Sequence, residues 1–154
     1  MLTILVLAVN AAVSSRSKEP VRRLERLAYL DQVRPQVQHS NDQGAELADL
    51  RDKATQLGRA GITRRMDRLE RATPEVLAVV RDAEPPASMA GSNSLLVATM
   101  VARARAVASI EQSLKQALGA QPPDSAVAAL VQAGSDLVTA DRTYELFVRA
   151  LPAG

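Results

Sequence analysis

Apolar and polar positions recur along this chain at the three-and-four spacing of helices, with no sustained two-residue alternation of a half-buried strand. From Pro20 onward, Leu24, Leu27, Leu30, Val33, Val37, Gly44, Leu47, Ala48, Ala54 and Leu57 make one apolar stripe with Arg, Glu, Asp and Gln around it. Pro20 suits a first helical turn, where its missing N–H would go unpaired anyway, so the stripe predicts a helix from Pro20 to about Leu57. Pro35 lies inside that helix and should kink or divide it near Val33.

Gly58 and Gly61 bracket a predicted turn, followed by a short basic helix over Ile62 to Arg71. Thr73-Pro74-Glu75 reads as an N-cap, a first-turn proline and a first-turn acid, opening a further helix to Ala83 with Val76, Leu77 and Val80 inward. Pro85-Pro86 ends it. A third long helix is predicted over Ser88 to Leu118, its inner stripe running through Met89, Asn93, Leu96, Val97, Met100, Ala104, Val107, Ile110, Leu114 and Leu118. Gly119 follows as a C-terminal cap and Pro122-Pro123 as a stop. Asp124 or Ser125 then caps a fourth helix with Val127, Leu130, Val131, Gly134, Leu137, Val138, Tyr144, Val148 and Leu151 inward. Four long or composite helices joined by short loops predict an all-α fold, an antiparallel, coiled-coil-like four-helix bundle over residues 16–154.

Composition strengthens that reading. The 154 residues include one Phe, two Tyr and no Trp, so Ala, Val and Leu carry an apolar content of 47%. Such side chains pack helices closely, whereas strands draw on aromatic and β-branched residues together. Lys and Arg (19) exceed Asp and Glu (17) by only two, so no global field calls for a polyanion. The absence of cysteine excludes disulfides, a thiolate nucleophile and Cys-ligated zinc, and leaves the compartment open.

The N-terminus changes the picture more. Leu2 to Val13 is apolar apart from Thr3 and Asn10, shorter than the roughly 20 residues that span a bilayer as a helix. With no Lys or Arg ahead of it the run makes a poor secretory signal, and it best suits the end of a transmembrane helix that starts upstream. A signal peptide and a buried first helix are the alternatives. Residues 1–15 are therefore expected to anchor the chain in a membrane as a single pass. Arg16, Lys18, Arg22, Arg23 and Arg26 follow the run, which by the positive-inside rule alone would place the bundle in the cytoplasm.

Three groups of residues carry candidate chemistry. Arg64, Arg68 and Arg71 share one helix face at i, i+4 and i+7 and could grip phosphates, lipid headgroups or an acidic partner; Asp67, Glu70 and Asp82 nearby favour a solvated, paired face. Nucleic acid is not expected, because no aromatic residue interleaves the arginines. Asp141 falls on the apolar stripe of the fourth helix, so its carboxylate is expected to be partly buried and to need Arg59, Arg103 or the Tyr144 hydroxyl as partner. Asn93 is expected as a second buried polar group, setting helix register or meeting a ligand. His39 has Asp42 at i+3, but without a second His or any Cys no metal site is expected, and no cofactor signature is present. No acid and base are visibly paired, so no enzyme is expected.

Three stretches, Ala28-Tyr-Leu-Asp-Gln-Val-Arg-Pro-Gln-Val37, Leu57-Gly-Arg-Ala-Gly61 and Ala140-Asp-Arg-Thr-Tyr144, resemble a family of membrane-anchored helical domains of high-GC Gram-positive bacteria. The resemblance implies a bundle outside the membrane after a single transmembrane helix, against the charge rule, and no known activity or catalytic residues. The expected function is a membrane-tethered interaction or scaffolding module of the cell envelope, with a protein partner. The alternative is a ligand-binding sensory bundle, marked by a polar-lined pocket near His39, Asn93 and Asp141. Alanine stripes such as Ala102, Ala104, Ala106 and Ala108 permit close packing within or between chains, which leaves homo-oligomerisation open.

Overall fold

The computed structural model describes the side chains of residues 19–119, 121 and 123–152, and ahead of them helical backbone from Leu2. The expected anchor, residues 1–15, lies outside the side chains described. Among the described residues there are four α-helices and no strand: α1 (Leu2–Asp52), α2 (Ala54–Asp82), α3 (Ala90–Ala117) and α4 (Asp124–Arg149), with a 3-10 turn at Ala87–Met89 before α3. No helix among those residues is long and apolar enough to cross a membrane. The helices pack in chain order, α1 on α2, α2 on α3, and α3 most extensively on α4.

Proline divides these helices less than expected. α1 runs through Pro20 and Pro35, and α2 through Pro74, so the separate helices expected over Ile62–Arg71 and Pro74–Ala83 are one. All three prolines are exposed. At Pro74 the carbonyl deprived of its partner belongs to Glu70, which is itself exposed and can be met by water. Thr73, expected to cap a new helix, instead donates its hydroxyl to the Leu69 carbonyl one turn back at 2.6 Å. The true break is at Gly58, whose φ of 60° and ψ of 174° belong to a region that only glycine occupies cheaply. Gly61 is already inside the helix, buried against Leu57.

Two core clusters fill the bundle. One joins Tyr29 and Val33 of α1, Val76 and Val80 of α2, Met89, Leu96 and Met100 around α3, and Phe147 of α4. Here the Tyr29 hydroxyl donates to Asn93 Oδ1 at 2.7 Å, and burial pushes the Tyr29 phenol above its usual pKa. The second joins Leu50, Ile62, Met66, Leu69 and Val107, and draws only on α1, α2 and α3. Packing of α1 begins at Tyr29: Leu24 and Leu27, expected on the inner stripe, are 67% and 45% exposed. At its other end, α1 is tied to α2 by Arg65, which reaches Glu46 at 3.3 Å and Asp49 at 2.6 Å. Hydrogen bonds from Lys53 and Arg65 hold the Asp49 carboxyl below its usual pKa.

The inner face of α4 differs most from expectation. Val127, Val131 and Val138 are 60%, 68% and 54% exposed, while Ala126, Ala133, Ala140 and Phe147 are buried. These four recur every seven residues. Opposite them on antiparallel α3, Ser92, Thr99, Ala106 and Ser113 recur at the same interval and are equally buried. Up to Phe147, which enters the first core cluster, these facing rows of small residues let the helix backbones approach more closely than Val or Leu would allow. Two of the row's hydroxyls have clear partners: Thr99 donates to the Leu95 carbonyl at 2.9 Å and Ser92 to the carbonyl of Ala150, the residue that caps α4, at 2.8 Å.

Candidate functional site

With its small-residue face committed to α3, α4 turns its larger apolar residues toward α1 without reaching it. The result is a cleft of about 720 Å³ along the open side of the bundle. Each wall is one helical stripe: Gly44, Leu47 and Ala48 from α1, Val107, Ile110 and Leu114 from α3 as the floor, and Leu130, Gly134 and Leu137 from α4. Gly44 and Gly134 are relevant to its width, because a Cβ built on either would meet no atom within 4 Å. The floor belongs to the second core cluster, the one to which α4 contributes nothing.

One end of the cleft is polar. Arg103 of α3 donates through Nη1 to Ser40 Oγ at 2.8 Å and Asn41 Oδ1 at 3.2 Å, both on α1, and through Nη2 to Asp141 Oδ1 of α4 at 2.8 Å. Its guanidinium carbon also lies 5.6 Å from the centre of the Tyr144 ring, within cation–π range. A single guanidinium thus spans α1, α3 and α4 where the first and last helices do not pack against each other. The Arg103 side chain is 13% exposed and the Asp141 side chain 67%.

The residues expected to carry chemistry are dispersed. Asp141 does meet an arginine, Arg103, but it is exposed rather than buried: the residue facing α3 is its neighbour Ala140, and one step along a helix turns the side chain about 100° toward the cleft mouth. Asn93 is half-buried, away from the cleft, and serves the Tyr29 hydroxyl. Arg64, Arg68 and Arg71 are all exposed on α2, and of the three only Arg68 comes within 4 Å of a carboxylate among the described residues, Glu46 at 3.9 Å. The arginine on that helix that makes close contacts is Arg65, one place off the expected face. His39 is exposed beside a second, shallower depression of about 310 Å³ with Asp42 and Glu75. No group of three or more His, Asp or Glu that could hold a metal occurs among the described residues.

The stripe pattern marks Arg103 only as one candidate partner of Asp141 and does not mark the cleft beside it, although a further signal is present. From Ser88 to Ile110 the only charged residues are Arg103 and Arg105, and Arg103 stands four before Val107 on the inward stripe. A lone arginine at an apolar register demands a partner on another element. No protein-family model, curated protein or solved structure matches this chain.

Proposed function

We propose that the chain is a membrane-tethered, non-catalytic module of the cell envelope that takes a small, largely apolar ligand between α1 and α4 and responds to it by moving those helices. The cleft carries this reading. Its volume falls within the range of roughly 300–1,000 Å³ of small-molecule sites, and a predominantly apolar lining with a few polar groups, the Arg103 cluster foremost and Gln43, Arg51 and Thr73 besides, is usual for such sites. Its one acid, Asp141, is tied to Arg103 rather than to a group that it could activate, which favours recognition over turnover. Because α1 is both a cleft wall and the helix that leads to the proposed anchor, a ligand preferring one α1–α4 spacing shifts the population of tethered states.

The test is a titration with Nile red, a neutral dye whose emission shifts to the blue in apolar surroundings. Saturable binding is expected for the native chain, and loss of at least tenfold in affinity for Gly134→Phe, whose new side chain occupies the cleft without clashing at Cβ. Absence of saturable binding, or equal binding by Gly134→Phe, sinks the reading. A second reading, the interaction or scaffolding module, is favoured by Val127, Val131 and Val138, exposed together on α4. Under that reading Gly134→Phe leaves partner capture intact and the valines decide it, with a second copy of the chain among the partners.

The tether is supported by Val21, Leu24 and Leu27, exposed on α1 and interleaved with Arg22, Arg23 and Arg26 two turns past the apolar run, as befits a helix leaving a membrane surface. A reporter active only outside the cytoplasm, fused after Gly154 of the full reading frame, is expected to be active. Activity of the reciprocal cytoplasmic reporter alone reverses the proposed orientation.

A further inference from the structure

We propose that the cleft takes a single-chain amphiphile with an anionic head, and that the head replaces the Asp141 carboxylate on Arg103. The proposal rests on the reading of the cleft as a ligand site and specifies the chemistry of its occupant.

The asymmetry of the ion pair is the starting point. The Arg103 side chain is 13% exposed and that of Asp141 67%. A cation so far withdrawn from water needs an anion beside it, whereas an exposed carboxylate loses little when it turns out to solvent. The replaceable member of the pair is therefore the acid. The guanidinium is also held from the other side: Ser40 Oγ at 2.8 Å and Asn41 Oδ1 at 3.2 Å take donors from Nη1 and leave the Nη2 side for the anion. An incoming carboxylate finds a charge already fixed in place, at the end of an apolar trough, which is the arrangement that lowers the ordering cost of binding.

The trough sets the rest of the molecule. Arg103 and Leu114 bound the floor, eleven residues apart on one helix, or roughly 16 Å at the helical rise. That length and a volume of about 720 Å³ suit one medium-length chain rather than a flat ring system. A neutral head would leave the Arg103–Asp141 pair in place and gain nothing from it. A cationic head would bring a second positive charge beside Arg103. Only an anion exploits the charge that Asp141 vacates.

The experiment uses the purified full chain and measures displacement of Nile red by dodecanoate and by dodecanol, which share a chain and differ in the head. Dodecanoate is expected to displace the dye at a concentration roughly tenfold lower. Asp141→Asn removes the competing anion from an exposed position and is expected to tighten dodecanoate by several fold while leaving dodecanol unchanged. Arg103→Met is expected to abolish the preference while the dye still binds; should that variant fail to fold, Asp141→Asn alone decides. Equal displacement by the two amphiphiles, or a ratio unmoved by Asp141→Asn, overturns the proposal while saturable dye binding leaves the cleft reading standing. Absence of dye binding to the native chain overturns both.

Discussion

Ala133→Leu is expected to destabilise the bundle by about 3 kcal/mol or more, while Val131→Leu, two residues away, changes stability by less than about 0.5 kcal/mol. Ala133 is fully buried in the small-residue row of α4, facing the row of α3 that includes Ala106. A leucine there has no void to enter, so the helices must separate or the side chain must leave its rotamer wells, and separation also loosens Ala126 and Ala140 one heptad away on either side. Val131 is 68% exposed and can gain a methylene freely. Against a total stability of roughly 5–15 kcal/mol the first loss is a large fraction, and for a chain of this length it lowers the melting temperature by about 10 °C. Urea denaturation followed by circular dichroism checks both variants. The reverse order of effects would mean that the valine stripe, not the alanine row, faces the core.

That contrast shows what hydrophobic periodicity conveys and what it does not. The helical class and some of the helix limits are legible from proline and glycine punctuation, because backbone chemistry acts locally: Pro85-Pro86 lies between α2 and α3, Pro123 directly precedes α4, and Gly58 bends the chain, whereas Pro20 and Pro74 start no helix. The inward face of α4 is not legible from apolar size. Val131 and Val138 outrank Ala133 and Ala140 on any transfer scale, yet the area that a helix buries depends on how near its neighbour comes, and alanine permits the nearer approach. The sevenfold recurrence of Ala126, Ala133, Ala140 and Phe147 against Ser92, Thr99, Ala106 and Ser113 stands in the sequence. It reads as an interface only when the two rows are set side by side.

The candidate site follows from the same rotation. Had the valine and leucine stripe packed inward, Asp141 would lie within the bundle as its spacing suggests. With Ala140 inward instead, Asp141 moves to the cleft mouth, and Leu130 and Leu137 become walls of an opening rather than parts of a core. Thr73-Pro74-Glu75 misleads for a different reason: an exposed proline can stay within a helix when water meets the carbonyl it frees, and solvent exposure is not written in a three-residue motif.

The other large effect is expected at the closed end of the bundle. Leu96→Ala should cost about 2–5 kcal/mol, because Leu96 is fully buried in the cluster where α1, α2, α3 and α4 all meet. Met89 and Met100 belong to the same cluster, and as flexible side chains they can close part of the cavity, which favours the lower half of that range. Leu96→Met, nearly equal in volume, should cost less than about 1.5 kcal/mol. Denaturation midpoints of the two variants check the packing; equal, small losses for both would place Leu96 outside a close-packed core. The same pair also tests whether the two ends of the bundle are independent. The cleft floor is built on Val107, Ile110 and Leu114, members of the other cluster, so Leu96→Ala should leave dye affinity unchanged under conditions where it stays folded. Loss of affinity in proportion to lost stability would instead make cleft and core one cooperative unit, in which a ligand between α1 and α4 is felt at Tyr29 and Asn93, and through α1 toward its N-terminal end.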